Sequence, residues 1–119
     1  MPNNKQKLDN LFSVFIRTRD ADINGINECF TCGRFIHWTK LHCGHFQSRK
    51  HTATRWDERN CQPQCVACNI FKGGEQFIFG QNLEKKYGEG TSETLQRKAL
   101  TTVKINKVEL ENLIKKYVF

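Results

Sequence analysis

Cys29-Phe30-Thr31-Cys32 and Cys65-Val66-Ala67-Cys68-Asn69 are the two ends of the stretch that decides the fold of this chain. Each end contains a Cys-x2-Cys pair, and 32 residues separate the two pairs. Zinc sites with four thiolate ligands commonly use two such pairs, and closing the site brings the two ends together. We therefore predict a structural zinc ion bound by Cys29, Cys32, Cys65 and Cys68. A closed four-thiolate site has no open coordination position, so we expect it to stabilise the fold without catalysing a reaction.

The cellular compartment decides between this zinc site and the alternative, two disulfide bonds. Residues 1–7 are polar and do not resemble a signal peptide, and no apolar run is long enough to cross a membrane. We therefore expect a cytoplasmic protein without membrane contact, where metal ligation by cysteines is favoured over disulfides. Two further cysteines, Cys43 and Cys61, fit as small buried packing residues, and no motif assigns them a function.

The charge balance indicates a polyanionic partner. Lys and Arg total 19 against 12 Asp and Glu, and the sequence pI is about 9.3. The simplest polyanion is nucleic acid, although many small basic proteins do not bind it. The candidate phosphate contacts, each with solvated surface charge as the alternative, are Arg49, Lys50, Arg55 and Lys72. Trp56 is predicted either to stack on an unpaired base or to anchor its loop to the core.

Apolar periodicity predicts an α+β domain in which helices flank a small strand region. The predicted helices are residues 5–19, 66–72, 75–87, 91–100 and a last helix capped by Asn106. The predicted strands are residues 34–38 and 41–48, which we expect to pair about a turn near residues 39–40, and residues 60–64. Residues 49–59 lack periodicity and are expected to form a surface loop. The last helix has an apolar stripe, which would serve either a dimer interface or the core.

The residues between the cysteine pairs follow a recognisable order. Gly44-His45-Phe46 is followed by Asn60, five residues before Cys65, and Cys68 is followed directly by Asn69. This order resembles the HNH (ββα-metal) nucleases, and within them the phage recombination endonucleases of the NinG/Rap type. The likeness to that type rests on residues 17–20, 41–46, 55–60 and 64–69, and its specific part covers about residues 29–74.

The resemblance implies a ββα-metal unit with a catalytic site separate from the structural zinc. In the family a histidine on the first strand is the general base, a middle asparagine holds the loop, and a last residue on the helix binds a divalent cation. Carried over, His45 is the base, Asn60 is the middle asparagine of the catalytic motif, and Asn69 is a ligand of Mg²⁺ or Mn²⁺. A histidine with a pKa of about 6.5 accepts a proton from water at neutral pH, and a divalent cation neutralises charge on the scissile phosphate.

One position departs from the family pattern. Most HNH proteins have an aspartate directly before the catalytic histidine, where this chain has Gly44. In the NinG-like pattern an acidic residue stands three positions before the histidine, and here that residue is His42. We therefore expect His42 to be the second cation ligand, and an imidazole binds Mn²⁺ or a transition metal more readily than Mg²⁺. His51 and Asp57 are reserve candidates.

These observations together predict a single zinc-clamped HNH domain that cleaves DNA phosphodiesters. We expect an N-terminal helix and linker in residues 1–28, the zinc knuckles with the ββα-metal motif in residues 29–74, and a helical part in residues 75–119. The resemblance implies branched recombination intermediates, D-loops or Holliday junctions, as substrates, a possible homodimer, and the host cytoplasm if the protein is phage-encoded. Two alternatives stay open: a general or site-specific HNH endonuclease, and a non-catalytic zinc-dependent DNA-binding module.

Overall fold

The computed structural model describes residues 3–118. Within these residues the fold is mixed α+β, with two small antiparallel sheets and helices around them, as predicted. The helices are α1 (Asn4–Thr18), α2 (Thr52–Arg55), α3 (Gln76–Tyr87), α4 (Thr91–Ala99) and α5 (Lys107–Tyr117). The strands are β1 (Ile26–Glu28), β2 (Phe35–His37), β3 (His42–His45) and β4 (Cys61–Gln64). A 3₁₀ turn covers Trp38–Lys40, and a π-helix covers Ala67–Phe71.

The first and last helices pack against each other and form the main core. Asn3 caps α1 through a reciprocal pair of hydrogen bonds with Gln6, and Asn106 caps α5 by accepting from the Glu109 amide, as predicted. The buried residues of this core are Leu8, Phe12, Ile16, Cys61, Leu110, Ile114 and Tyr117. The apolar stripe of α5 is therefore part of the core, so a homodimer would have to use another surface.

The strand pairing differs from the expectation. Residues 34–38 and 41–48 were expected to form one hairpin, but β2 pairs with β1 and β3 pairs with β4. The segment between β2 and β3 is a 3₁₀ turn whose C-cap, Leu41, is buried against the cysteine cluster. This turn directs the chain from one sheet into the other. Apolar and aromatic content indicated the strands, but it carries no information about their partners.

The segment between β3 and β4 is more ordered than a surface loop. It contains α2, and Thr54 within that helix is fully buried. Trp56 donates from Nε1 to Asp9 Oδ1 at 2.9 Å, so it anchors this segment to α1. The sequence gives no helical periodicity here because the helix has only four residues and depends on tertiary contacts.

The C-terminal half adds a smaller core beside the second sheet. Gly73 and Gly74 separate the π-helix from α3, and Gly88 ends α3, as predicted. Residues of α3 and α4 pack together with two aromatic rings from the strand region: Phe79, Leu83, Leu95, Phe30 and Phe46. Among residues 3–118, no helix combines the length and apolarity needed to cross a membrane.

Candidate active site and metal centre

The four predicted zinc ligands converge. The Sγ atoms of Cys29, Cys32, Cys65 and Cys68 all lie within 4.8 Å of one another, and those of Cys32 and Cys65 are 3.7 Å apart. A tetrahedral zinc ion with bonds of about 2.3 Å requires an S–S separation of about 3.8 Å, whereas a disulfide requires about 2.05 Å. The cluster therefore has the size of a four-thiolate zinc site, and its residues fit the predicted ion.

Backbone amides support the thiolate form of the cluster. The amide of Cys65 donates to Cys29 Sγ at 3.3 Å, and the amide of Cys68 donates to Cys65 Sγ at 3.4 Å. Burial of the Cys29 thiol acts to raise its pKa, but hydrogen bonds from Cys65, Cys32 and Thr31 outweigh burial and lower the pKa to about 6. Burial raises the pKa of Cys32 above its ordinary value and that of Cys68 to about 12, so the amides favour the thiolate most at Cys29, and the other thiols need the charge of the ion. The first cysteine pair belongs to the β1–β2 hairpin, and the second spans the end of β4 and the π-helix. The cluster thus joins the two sheets.

A cleft of about 870 Å³ lies beside this cluster. It runs between α1, the edge of β3 that has no partner strand, and residues 69–76. Its lining includes Asp9, Ser13, Arg17, His42, His45, Arg49, Asn69 and Gly74. The sequence-predicted residues His42, His45, Asn69 and Arg49 are therefore brought to one surface, although they lie up to 27 residues apart in sequence.

His45 is oriented by a backbone carbonyl. Its Nε2 lies 3.1 Å from the carbonyl oxygen of Arg55. A carbonyl oxygen only accepts hydrogen bonds, so Nε2 carries the proton and donates, which leaves the lone pair of the neutral ring on Nδ1. Burial lowers the pKa of His45 below its ordinary value, against the opposing effect of the Arg55 hydrogen bond. The neutral ring, which has one free acceptor nitrogen, is therefore favoured at neutral pH.

His42 contacts Asn69 on the other face of β3. The Nδ2 of Asn69 donates to Nδ1 of His42 at 3.0 Å. Because His42 and His45 are three residues apart on a strand, their side chains start on opposite faces. Both reach the same cleft because, within residues 3–118, β3 pairs with β4 alone and its other edge borders the cleft.

Gly44 is required by the side chain of Gln64. A Cβ atom at Gly44 would lie 2.0 Å from Gln64 Oε1 and 2.7 Å from its Cδ. The Nε2 of Gln64 donates to Thr31 Oγ1 and to the Gly74 carbonyl, which holds the side chain across the strand. No side chain, acidic or otherwise, fits at position 44 while Gln64 keeps this conformation. The contact with Gln64 thus gives a steric reason for glycine at position 44.

Asn60 holds the segment between the two strands. It is fully buried, and its Oδ1 accepts from the Gln47 amide at 2.8 Å. Its Nδ2 donates to the carbonyls of Gln47 and Thr54 at 3.0 and 3.1 Å. Thr54 directly precedes Arg55, whose carbonyl accepts from His45. Asn60 is therefore a positioning residue for His45, with no surface exposed to a substrate.

The predicted basic contacts divide into two groups. Arg55 donates to both carboxylate oxygens of Asp9, and its side chain is only 22% exposed, so it is held in an ion pair. Arg49 is 64% exposed and 3.7 Å from Asp9, at the cleft wall, while Lys50 and Lys72 are exposed. The exposed residues are available to a phosphate, and Arg55 has an intramolecular partner.

Sequence reasoning missed two charged residues that line the cleft. Asp9 organises Arg49, Arg55 and Trp56, and Arg17 donates from Nη1 to the Trp38 carbonyl at 3.3 Å. No local pattern marks Asp9, because its partners Arg55 and Trp56 lie 46 and 47 residues away in sequence. Arg17 belongs to residues 17–20, which carry part of the family likeness, but its contact with the Trp38 carbonyl, 21 residues away, has no local signal.

Within residues 3–118, the cleft is lined by neither of the reserve candidates, His51 and Asp57. Asp57 pairs with Lys98 at 2.6 Å and with Arg59 at 3.5 Å. Burial acts to raise the pKa of its carboxyl, but these partners lower it below the ordinary value. Asp57 is therefore a structural ion-pair residue. His51 precedes α2 as its N-cap and makes no side-chain capping bond.

The fold and cluster define a small α+β protein with a four-cysteine candidate zinc site. The family model described as "Bacteriophage Lambda NinG protein" matches residues 3–118, so the chain belongs to the NinG family. This membership confirms the part of the predicted resemblance that concerns the NinG type.

Curated NinG proteins from several phages are similar to this chain. "Protein ninG" of Escherichia phage 933W is 32% identical over 78 residues, which are 65% of this chain and 36% of the relative. The protein of Salmonella phage P22 is 32% identical over 77 residues, and that of Escherichia phage lambda is 31% identical over 78 residues. These cover 64% and 65% of this chain and 36% of each relative, so the matched part spans little more than a third of their length. No solved structure matches the chain.

Removing zinc is expected to unfold the domain, because the cluster joins the two sheets. A chelator should abolish the helical circular dichroism signal, and added zinc should restore it. Cys32→Ser should lose the tightly held zinc ion, and because Cys32 is exposed, its replacement should have little packing cost of its own. Cys43→Ser, which changes a thiol outside the cluster, should keep that ion. Unchanged circular dichroism in the metal-free protein would contradict the assignment.

Gly44→Ala is expected to destabilise the protein by roughly 1–3 kcal/mol, since the new methyl group overlaps Gln64. The coupling free energy between positions 44 and 64 is measured by urea unfolding of this variant, of Gln64→Ala and of the double variant. The double variant should lose less free energy of unfolding than the sum of the losses of the two single variants, because removing the Gln64 side chain relieves the overlap. Additive effects would show that the contact between these two residues is not the cause.

Proposed function

We propose that this chain is a metal-dependent DNA endonuclease whose catalytic unit is of the HNH type. The β3–β4 hairpin followed by the π-helix would correspond to the ββα-metal unit. The observation that carries the proposal is the cleft that His45, with its fixed ring tautomer, shares with the His42–Asn69 pair. This gives a base and a pair of cation ligands on one surface, as phosphodiester hydrolysis requires.

In this proposal His45 acts as the general base. The Arg55 carbonyl holds the proton of Nε2, so Nδ1 is the atom that accepts a proton from the attacking water. The lowered pKa of His45 keeps the ring unprotonated at neutral pH, which a base requires. Asn60 supports the role indirectly, because it fixes the segment that carries the Arg55 carbonyl.

His42 and Asn69 would hold the divalent cation. An imidazole nitrogen and an amide oxygen form a donor set that suits Mn²⁺ or a borderline transition metal better than Mg²⁺. The Oε1 of Gln64 is buried without a hydrogen-bond partner among the described residues, and Gln64 faces His42 across the β3–β4 pair. It is a candidate for an additional oxygen ligand. A cation held here would neutralise charge on the scissile phosphate and on the departing oxygen.

The charge around the cleft favours a nucleic acid substrate. The formal net charge of the chain is +7, and Arg49, Lys50 and Lys72 are exposed and available to phosphates. Asp9 forms an ion pair with Arg55 and lies 3.7 Å from the more exposed Arg49, so it offsets part of the positive charge at the cleft wall. Contacts of this kind position a phosphate backbone but carry no sequence information.

Branched recombination intermediates are the proposed substrates. This step rests on the resemblance to NinG/Rap endonucleases and is compatible with membership of the NinG family. Trp56 is bound to Asp9, so base stacking at a branch would have to come from another side chain.

His45→Ala is expected to reduce DNA cleavage by about 10²–10⁴-fold, the usual contribution of a general base. Plasmid cleavage with Mn²⁺ or Mg²⁺ measures the rate, and a binding assay should show that DNA affinity is retained. His37→Ala is the matched control, because His37 is exposed and is not among the cleft residues. If the wild-type protein cuts no DNA with any divalent ion, a zinc-dependent DNA-binding module is the better account.

A substrate panel tests the branched-DNA step. Four-way junctions and D-loops should be cut faster than linear or nicked duplexes of the same sequence, with a ratio of at least about tenfold, equivalent to about 1.4 kcal/mol. Rates are measured with each substrate at equal concentration and ionic strength, because salt weakens phosphate contacts. Equal cleavage of linear duplex and junction would favour a general or site-specific HNH endonuclease.

A further inference from the structure

A second group of potential metal ligands lies beneath the cleft. Ligand atoms of Cys43, His45 and Cys61 all lie within 4.8 Å of one another, the same limit that the four-cysteine cluster meets. His45 and Cys61 are direct partners across the β3–β4 pair, and Cys43 is two residues from His45 on the same face. The register of the hairpin therefore brings two thiols and one imidazole together.

The burial of these residues gives the group an inner wall and an open side. Cys61 is fully buried in the core formed by α1 and α5. Cys43 and His45 are partly exposed and line the cleft. An ion would therefore enter from the cleft and meet the buried thiol of Cys61 at the end of its path.

We infer that Cys43, His45 and Cys61 form a binding site for a thiophilic divalent ion, of which Zn²⁺ is the biological representative. Two thiolates and one imidazole are a known zinc donor set, which leaves a fourth position open to water in the cleft. On binding, the two thiols release their protons to solvent and bond to the ion as thiolates. The charge of two thiolates then balances that of the ion, so the partly buried site carries no net charge.

The orientation of His45 fits this role. A metal-bound histidine typically donates its other ring N–H to a carbonyl or carboxylate, which fixes the tautomer. The Arg55 carbonyl accepts from Nε2 of His45 at 3.1 Å, so Nδ1 is the nitrogen available to an ion. The Cys61 thiol also donates to this carbonyl oxygen at 3.7 Å, a bond that is released when the thiol gives up its proton to bind an ion. Simple packing of two cysteines would not require an oriented imidazole beside them.

Occupation of this site has a consequence that rests on the proposed function. The lone pair of Nδ1 cannot bind an ion and accept a proton from water at the same time. Zinc bound to Cys43, His45 and Cys61 therefore inhibits cleavage, whereas a cation at His42 and Asn69 supports it. The thiolate ligands favour zinc over Mg²⁺ or Mn²⁺ at the inhibitory site.

Cobalt substitution tests the site without any activity measurement. The full chain, reconstituted with Co²⁺, should contain two thiolate-bound ions, counted from the thiolate-to-cobalt charge-transfer absorption and the metal content. Cys43→Ala should contain one such ion, and His42→Ala, which alters the same cleft outside this group, should contain two. Cys61→Ala is a second variant with the same expectation as Cys43→Ala. One thiolate-bound ion in the wild-type chain, or two in a folded Cys43→Ala chain, would overturn the inference.

Zinc inhibition tests the consequence. Zinc added to the Mn²⁺-dependent reaction should inhibit the wild-type chain, with each variant compared with its own rate before zinc is added. Cys43→Ala should require at least about tenfold more zinc for the same fractional inhibition. Loss of a residue that only supports a ligand already weakens metal sites by about 10- to 100-fold. Equal sensitivity of both chains would refute the inhibitory role. Absence of DNA cleavage by any chain would refute the proposed function, while the cobalt count would still decide whether the site exists.

Discussion

Closure of the four-cysteine cluster is the constraint on which the rest of the structure depends. It joins two antiparallel pairs of strands, each too small to be stable alone, at a point where 32 residues of chain return on themselves. The loop-closure entropy of that segment has to be offset by the cores on either side and, when the predicted zinc ion is bound, by metal–thiolate bonds. Because Asn69 directly follows Cys68, and its amide donates to the Cys65 carbonyl at 2.9 Å, the cluster also sets the direction of Asn69 toward the cleft.

Local signals in the sequence were sufficient for the longer helices and for the convergence of the four cysteines, but not for the four-residue helix α2. The apolar stripes of α1 and α5, the Asn106 cap and the Cys-x2-Cys pairs each depend on neighbours within a few residues, and all were predicted correctly. The predicted pairing of residues 34–38 with residues 41–48 was wrong, because a short strand is compatible with several partners and the choice is made by contacts distant in sequence. Asp9 was missed for the same reason, since its partner Arg55 lies 46 residues away. The roles assigned to His42, His45 and Asn69 stay predictions, although the structure gathers them at one cleft.

The contact between Gly44 and Gln64 bears on the proposed cation site, because it decides which positions of β3 can carry a ligand. Residues 42 and 44 lie on the same face of β3, because side chains alternate along a strand. A ligand at position 42, three residues before His45, therefore lies on the same face as a ligand at position 44 would, two residues further back along the strand. Gln64 fills the space at position 44, and it leaves His42 beside Asn69. The buried Oε1 of Gln64 lies on this face, so one side chain both excludes a residue at position 44 and brings an oxygen to that face.

His45 is the point at which the two proposed metal chemistries meet. One ring nitrogen is committed to the Arg55 carbonyl, so a single lone pair is left for both proton transfer and metal binding. The two faces of β3 carry different donors: the imidazole of His42 and the amide of Asn69 lie on one face, and the thiols of Cys43 and Cys61 lie with His45 on the other. Because Mn²⁺ and Zn²⁺ differ in their preference for thiolates, they would partition between the two faces. The relative concentrations of Mn²⁺ and Zn²⁺ would then decide whether the Nδ1 lone pair of His45 is free. The proposed base would thus respond to the available metal ions without any change in fold.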